Sequence, residues 1–170
     1  MTRGLPVIAD KIMTLAEAVR WREGLHAAGS RLAVTNGCFD ILHRGHADYL
    51  DRARRAGDAL LVLLNSDRSV RELKGPERPV NDEYARAFVL GALAAVDAVV
   101  VFDGKRCTAE LAALRPDIYV KGGDYTVETL DPEERGVLLE AGSEFRFIPF
   151  VEGYSTTATI RKMRAGAPEK

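Results

Sequence analysis

Cysteine is scarce in this chain. Cys38 and Cys107 are the two among 170 residues, far apart and in no C-x-x-C pair. That usage excludes a disulfide framework and a cysteine-based zinc site, and it suits a reducing compartment, with the cytoplasm as the expected location. Charge of one sign is lacking too: 24 Lys and Arg against 25 Asp and Glu leave a net charge of −1. A bulk basic surface is therefore absent, and nucleic acid is not expected as a partner. Long hydrophobic runs are also missing. Nothing approaches the roughly 18 apolar residues of a membrane span, and Met1 to Met13 holds no signal-peptide run. A membrane partner is not expected either. No G-x-G-x-x-G follows an apolar run, which removes a dinucleotide fingerprint. Gly24 and Gly29 have P-loop spacing, but Ser30-Arg31 stands where Lys-Ser/Thr is needed.

What is present suits an ordinary folded domain. Apolar residues make up 46% and charged residues 29%, enough to bury a core without metal or disulfide. One domain over residues 1–170 is expected, with a helical extension at 1–30 and a core at 31–163.

Strand and helix signals alternate along the chain. Residues 14–29 read as a helix, with Leu15, Val19, Trp21 and Leu25 at helical spacing and a Thr14/Glu17 capping box. Short apolar runs at 31–36, 59–65, 98–102, 117–121 and 144–150 read as strands. Between them, helices are expected at 46–56, 81–95 with Asn81 as cap, 107–114, 132–141 and 155–164. Residues 73–80, with Gly75, Pro76 and Pro79, read as a loop. This alternation implies βαβ crossovers: an α/β, Rossmann-like, doubly wound parallel sheet of about five strands with helices on both faces. Ligands of such sheets bind beyond the carboxyl ends of the strands.

The densest chemistry sits beyond the first of those ends. Thr35-Asn36-Gly37-Cys38-Phe39-Asp40-Ile41-Leu42-His43-Arg44-Gly45-His46 follows the first strand and opens a helix. Gly37 permits close backbone approach to a ligand. His43 and His46, two of the three histidines, flank Gly45 at a helix start. A helix N-terminus offers unpaired N–H groups and a positive dipole end, which attract phosphate. Lys121-Gly122-Gly123-Asp124 follows the fourth strand, where paired glycines let a ligand come near. Ser155-Thr156-Thr157 opens the last helix and supplies hydroxyls at a second anion-attracting end, with Arg161 two turns on.

These residues carry a resemblance. H-x-G-H after a first strand resembles the signature of the cytidylyltransferase-like nucleotidyltransferase superfamily. The longer run from Thr35 to Leu50 is similar to one branch, the adenylyltransferases acting on D-glycero-β-D-manno-heptose 1-phosphate. The likeness continues through Asn65-Ser66-Asp67, Leu73 to Asn81, Arg86, Val89 to Leu93, Val120 to Tyr125 and Ser155 to Thr157. In many relatives this domain follows a sugar-kinase domain; here a stand-alone form is expected.

The resemblance implies a set of roles. His43, His46 and Lys74 are the expected catalytic groups on the nucleotide phosphates. Asn36, Gly37, Cys38, Phe39, Gly45, Arg86, Lys121, Gly122, Asp124, Ser155, Thr156 and Thr157 are expected to bind nucleotide, and Asp40 and Arg78 the sugar phosphate. The expected substrates are ATP with Mg²⁺ and a phosphorylated sugar, with no metal ligands from the protein, and a homodimer is the expected assembly. Alternatives are the same chemistry on another acceptor, such as glycerol 3-phosphate with CTP or a flavin or pantetheine phosphate, and a non-catalytic nucleotide sensor.

Overall fold

The computed structural model describes residues 7–165. Five strands form one parallel sheet: β1 (Leu32–Gly37), β2 (Ala59–Asn65), β3 (Ala98–Phe102), β4 (Ile118–Gly122) and β5 (Glu144–Ile148), in the order β3-β2-β1-β4-β5. β1 lies at the centre, and all seven residues of β2 beside it are buried. Its sequence Ala-Leu-Leu-Val-Leu-Leu-Asn is the near-continuous apolar run required of a strand covered on both faces.

Among the described residues, seven helices and one 3₁₀ turn accompany these strands: the turn Ile8–Lys11 and α1 (Leu15–Ala27) before β1, then α2 (Arg44–Arg54), α3 (Asp67–Lys74), α4 (Glu83–Ala92), α5 (Thr108–Leu114) and α6 (Pro132–Ala141) between strands, and α7 (Thr156–Ala165) after β5. Alternation along the strands divides the interior into two cores. Leu32, Val34, Leu61 and Leu63 pack with Ala18 of α1, Leu111 and Leu114 of α5 and Leu138 of α6. Ala33, Leu60, Val62 and Leu64 pack with Tyr49, Leu50 and Ala53 of α2 and Ala87 and Leu90 of α4. The expected doubly wound architecture is thus the one observed.

Local signals explain most element ends. Thr14 and Glu17 form the capping box of α1. Pro132 begins α6 behind the cap Asp131, and Gly142 ends it in a left-handed conformation with φ of +75°. Two readings need correction. Residues 67–74 are a helix, capped by Ser66, so Lys74 ends α3 instead of standing inside a loop. The cap of α4 is Asp82, which accepts from the Ala85 N–H. The Asn81 side chain is used elsewhere, donating to the Asp40 carbonyl at 2.9 Å.

Before α1, the chain runs beside β3. Ile12 bridges Val99 in parallel fashion, the Met13 N–H donates to the Val99 carbonyl at 2.9 Å, and Lys11 Nζ reaches the Val96 carbonyl at 2.7 Å. Among the described residues, no helix is long and apolar enough to cross a membrane.

Candidate active site

The sheet order reverses direction at β1 and β4, and their carboxyl ends bound the crevice where ligands of such sheets bind. Asn36 is next to last in β1 on one side and Lys121 next to last in β4 on the other. Lys121 Nζ donates to Asn36 Oδ1 at 2.9 Å, and the Tyr119 hydroxyl donates to the same oxygen at 2.9 Å. The ammonium also lies 5.5 Å from the Tyr125 ring centre. Two separate strand ends thus place a positive charge and an amide at the switch point.

Past β1 the chain turns sharply. Phe39 adopts φ of +43°, a left-handed conformation costly for a bulky residue. Its ring lies over Gly37: a Cβ on Gly37 would meet Phe39 Cε2 at 2.8 Å, so any larger residue would push the ring aside. The same ring centre lies 5.3 Å from that of His46.

His43 is the N-cap of α2, and its side chain makes no capping bond. The first turn of that helix carries no acidic residue, so its N–H groups and dipole remain directed at whatever lies beyond. The two imidazoles stack, with ring centres 3.9 Å apart and planes 18° apart. Burial, reinforced by the neighbouring His43 and opposed by a hydrogen bond to the Ile41 backbone, pushes the His46 pKa down to about 4. Burial lowers that of His43 as well. Both rings are therefore neutral at pH 7. Nδ1 of each is buried without a hydrogen-bond partner, two binding groups that the folded chain leaves unused. Space beside Gly45 is tight: a Cβ there would meet the His43 ring and Tyr154 Cβ at 3.1 Å, so these neighbours would have to shift slightly.

A second helix start faces this one. Ser155 caps α7 by accepting from the Ala158 N–H at 3.0 Å, Thr156 Oγ1 donates to the Ile41 carbonyl at 3.4 Å, and Thr157 is exposed. One hydroxyl therefore caps and the next ties α7 to the histidine loop. Arg161 is exposed further along the helix. Tyr154, which the sequence reading passed over, stacks on His43 at 6.2 Å and receives the Arg44 guanidinium at 5.6 Å over its ring. Phe150 was also passed over. Its ring lies against Gly122 and Gly123, within 2.8 Å of where a Cβ on either would stand. Both aromatics flank the stretch before Ser155, and that spacing was their one signal. Asp124 is exposed just beyond these glycines, and Lys74 is exposed at the end of α3.

Two charged residues expected at ligands are engaged inside the protein instead. The Arg86 side chain is fully buried. It donates to the carbonyls of Cys38 at 2.7 Å, Asn65 at 2.8 Å and Asn81 at 3.0 Å, and pairs with Asp67 at 2.8 Å. That geometry turns Arg86 away from the nucleotide contact expected of it: its side chain holds the loops that surround the site. Asp40 is buried against Arg78, Val80 and Asn81. Burial pushes its carboxyl pKa up, but the Asn81 and Val80 N–H groups and Arg78 outweigh this and hold it below the ordinary carboxylate value. Cys38 is half-buried, its Sγ 3.9 Å from Asn65 Oδ1, and burial raises its thiol pKa.

A histidine pair at a helix start on the switch point of a parallel sheet has the character of a nucleotide-phosphate site. The family profile described as Cytidylyltransferase-like matches residues 34–162, which include His43, His46, Lys121 and Ser155. The chain belongs to the cytidylyltransferase-like family. It is accordingly a nucleotidyltransferase. Among curated relatives, the bifunctional protein HldE of Koribacter versatilis is 48% identical over 162 residues, covering 93% of this chain and 32% of that protein. The HldE of Methylococcus capsulatus is 51% identical over 154 residues, covering 91% of this chain and 32% of its own. The chain thus spans about a third of the length of the curated relatives it matches. A crystal structure of the lipopolysaccharide core biosynthesis protein of Thermoplasma volcanium aligns with a TM-score of 0.59 at 26% identity, over 75% of this chain and all of that one.

Proposed function

We propose that the chain transfers AMP from ATP to D-glycero-β-D-manno-heptose 1-phosphate, giving ADP-heptose and pyrophosphate. The stacked, neutral His43 and His46 at the start of α2 are the observation that carries the reading. The ordered motif set and the HldE relatives support the acceptor.

In this reading an oxygen of the sugar phosphate attacks the α-phosphorus of ATP. The bond from that phosphorus to the bridging oxygen breaks, and pyrophosphate leaves with the electron pair. The attacking phosphate is already anionic near neutral pH, so no general base is needed. The difficulty is to gather polyanions and to stabilise charge moving onto the leaving group, which positioning and preorganised donors supply. His46 suits this: with a pKa near 4 it stays neutral and donates a hydrogen bond without competing for a proton. The N-termini of α2 and α7 provide oriented N–H groups. Lys74 supplies charge from an exposed side chain at the end of α3. Lys121, Gly122, Asp124 and Asn36 border the crevice where the nucleoside would lie.

Mg²⁺ would arrive on the triphosphate, since this ion is commonly held by substrate phosphates with few protein carboxylates. We read residues 31–163 as the catalytic core, 1–30 as its extension, and the cytoplasm as its location. A pyrophosphate-release assay pairing ATP or CTP with several phosphorylated acceptors tests the proposal. ATP with heptose 1-phosphate should be fastest; faster turnover of CTP with glycerol 3-phosphate would overturn the acceptor assignment.

A further inference from the structure

We propose that Asp40 is a positioning residue, which fixes Lys74 relative to the histidine pair and makes no contact with the sugar. The inference rests on the proposed transferase reading and deepens it.

Both carboxylate oxygens of Asp40 are spent. Oδ1 accepts from the N–H groups of Val80 at 2.8 Å and Asn81 at 3.1 Å; Oδ2 accepts from Arg78 Nε at 2.6 Å and Val80 N–H at 3.0 Å. The Asp40 carbonyl accepts from Asn81 Nδ2 at 2.9 Å. The side chain is 1% exposed, so no face of it remains for a sugar hydroxyl. Every one of these donors comes from Arg78 to Asn81, a single stretch of one loop. The loop is tied in turn to the end of α3, because the Arg78 N–H donates to the Gly75 carbonyl at 3.1 Å. Gly75 is the residue after Lys74, and its φ of +98° turns the chain out of the helix. A short route therefore runs from Asp40, three residues before His43, through Arg78 and Gly75 to Lys74.

The surroundings are built to hold that route still. Phe39, next to Asp40, keeps a left-handed backbone, and such conformations persist where neighbouring bonds over-determine them. Arg86 grips the Cys38 carbonyl on one side and the Asn81 carbonyl on the other. The histidine loop and the loop that follows Lys74 are thus joined at two buried points, and Asp40 is the one nearer in sequence to His43, as its partner Arg78 is to Lys74.

The test is a double-mutant cycle of Asp40→Asn with Lys74→Ala, read by steady-state kinetics beside a melting curve. Wild-type turnover is measured first. Its absence counts against the proposed function alone, and the cycle is then read in ATP affinity by calorimetry. Asp40→Asn should lower kcat by on the order of 10–10²-fold, with KM for the sugar phosphate within about twofold. Lys74→Ala should cost much less in that background than in the wild type, because the lysine is already misplaced. If Asp40→Asn does not fold, Asn81→Ala, which removes one donor, should show the same coupling in milder form. Additive effects would overturn the proposal, as would a raised KM for the sugar phosphate with kcat unchanged.

Discussion

His43 and His46 lie face to face, with ring centres 3.9 Å apart. Two imidazolium ions would repel at that distance, so the stack holds while both rings are neutral. A neutral imidazole can still donate its N–H to a phosphate oxygen, and that bond strengthens as negative charge builds on the oxygen. In the proposed reaction that growing charge is the one on the departing pyrophosphate.

The first prediction concerns His46. Replacement by alanine should lower kcat far more than it raises KM for ATP, because its hydrogen bond strengthens as charge develops. Loss of one such donor typically costs on the order of 10²–10³ in rate. Steady-state kinetics beside a melting curve decide the matter. A destabilised protein with near-normal kcat would make His46 structural.

Stability against pH follows from the same ring. His46 titrates near 6.5 in an unfolded chain and near 4 when folded. Between those values the unfolded state binds more protons. The contribution of this group is therefore complete above about pH 6.5 and declines as pH falls toward 4. Melting temperatures measured across this window should drop for the wild type and drop less for His46→Asn. Equal slopes would show that the ring is not held neutral by the fold.

Gly45→Ala sets two effects against each other. Alanine in a helix gains about 1 kcal/mol over glycine, yet its Cβ would press on the His43 ring and Tyr154 at 3.1 Å. The backbone gain should keep the melting temperature near the wild-type value while displacement of His43 lowers kcat by roughly tenfold or more. Unaltered kcat would show that the His43 position is not critical.

Arg86→Ala should be the most damaging to the fold. Removing one partner of a buried ion pair typically costs about 3–5 kcal/mol, and here three carbonyls lose their donor as well. A fall in melting temperature on the order of 10 °C is expected for a chain of this size. A loss of nucleotide affinity with stability intact would instead make Arg86 a nucleotide contact.

Much of this was legible in the chain itself. β2, β3 and α6 lie where apolar runs and Pro/Gly boundaries placed them. The histidine loop was legible because residue type, spacing and position after a strand agreed. α3 was not, since Asp67 to Lys74 carries just two large apolar side chains, Val70 and Leu73, and the prolines beyond drew attention to a loop. The burial of Arg86 was equally hidden. Its partners Cys38 and Asn65 lie 48 and 21 residues away, and a charge is buried only where such distant carbonyls converge. Tyr154 and Phe150 reach the site through the path of one loop, which periodicity does not encode.

The stretch from Ile8 to Met13 has a consequence beyond the site. β3 is an outer strand, and its Ala-Val-Val-Val-Phe sequence is the kind of apolar, uncharged edge on which chains add to one another. The bridge from Ile12 to Val99 and the bond from Met13 to the Val99 carbonyl occupy part of that edge. The opposite border, β5, is interrupted by Glu144 and Arg146, charges that discourage another strand from pairing there. The chain thus guards its two open margins by different means, cover on one and charge on the other. Trimming it back to Met13 should bare part of this border and leave β3 open to pairing with another chain.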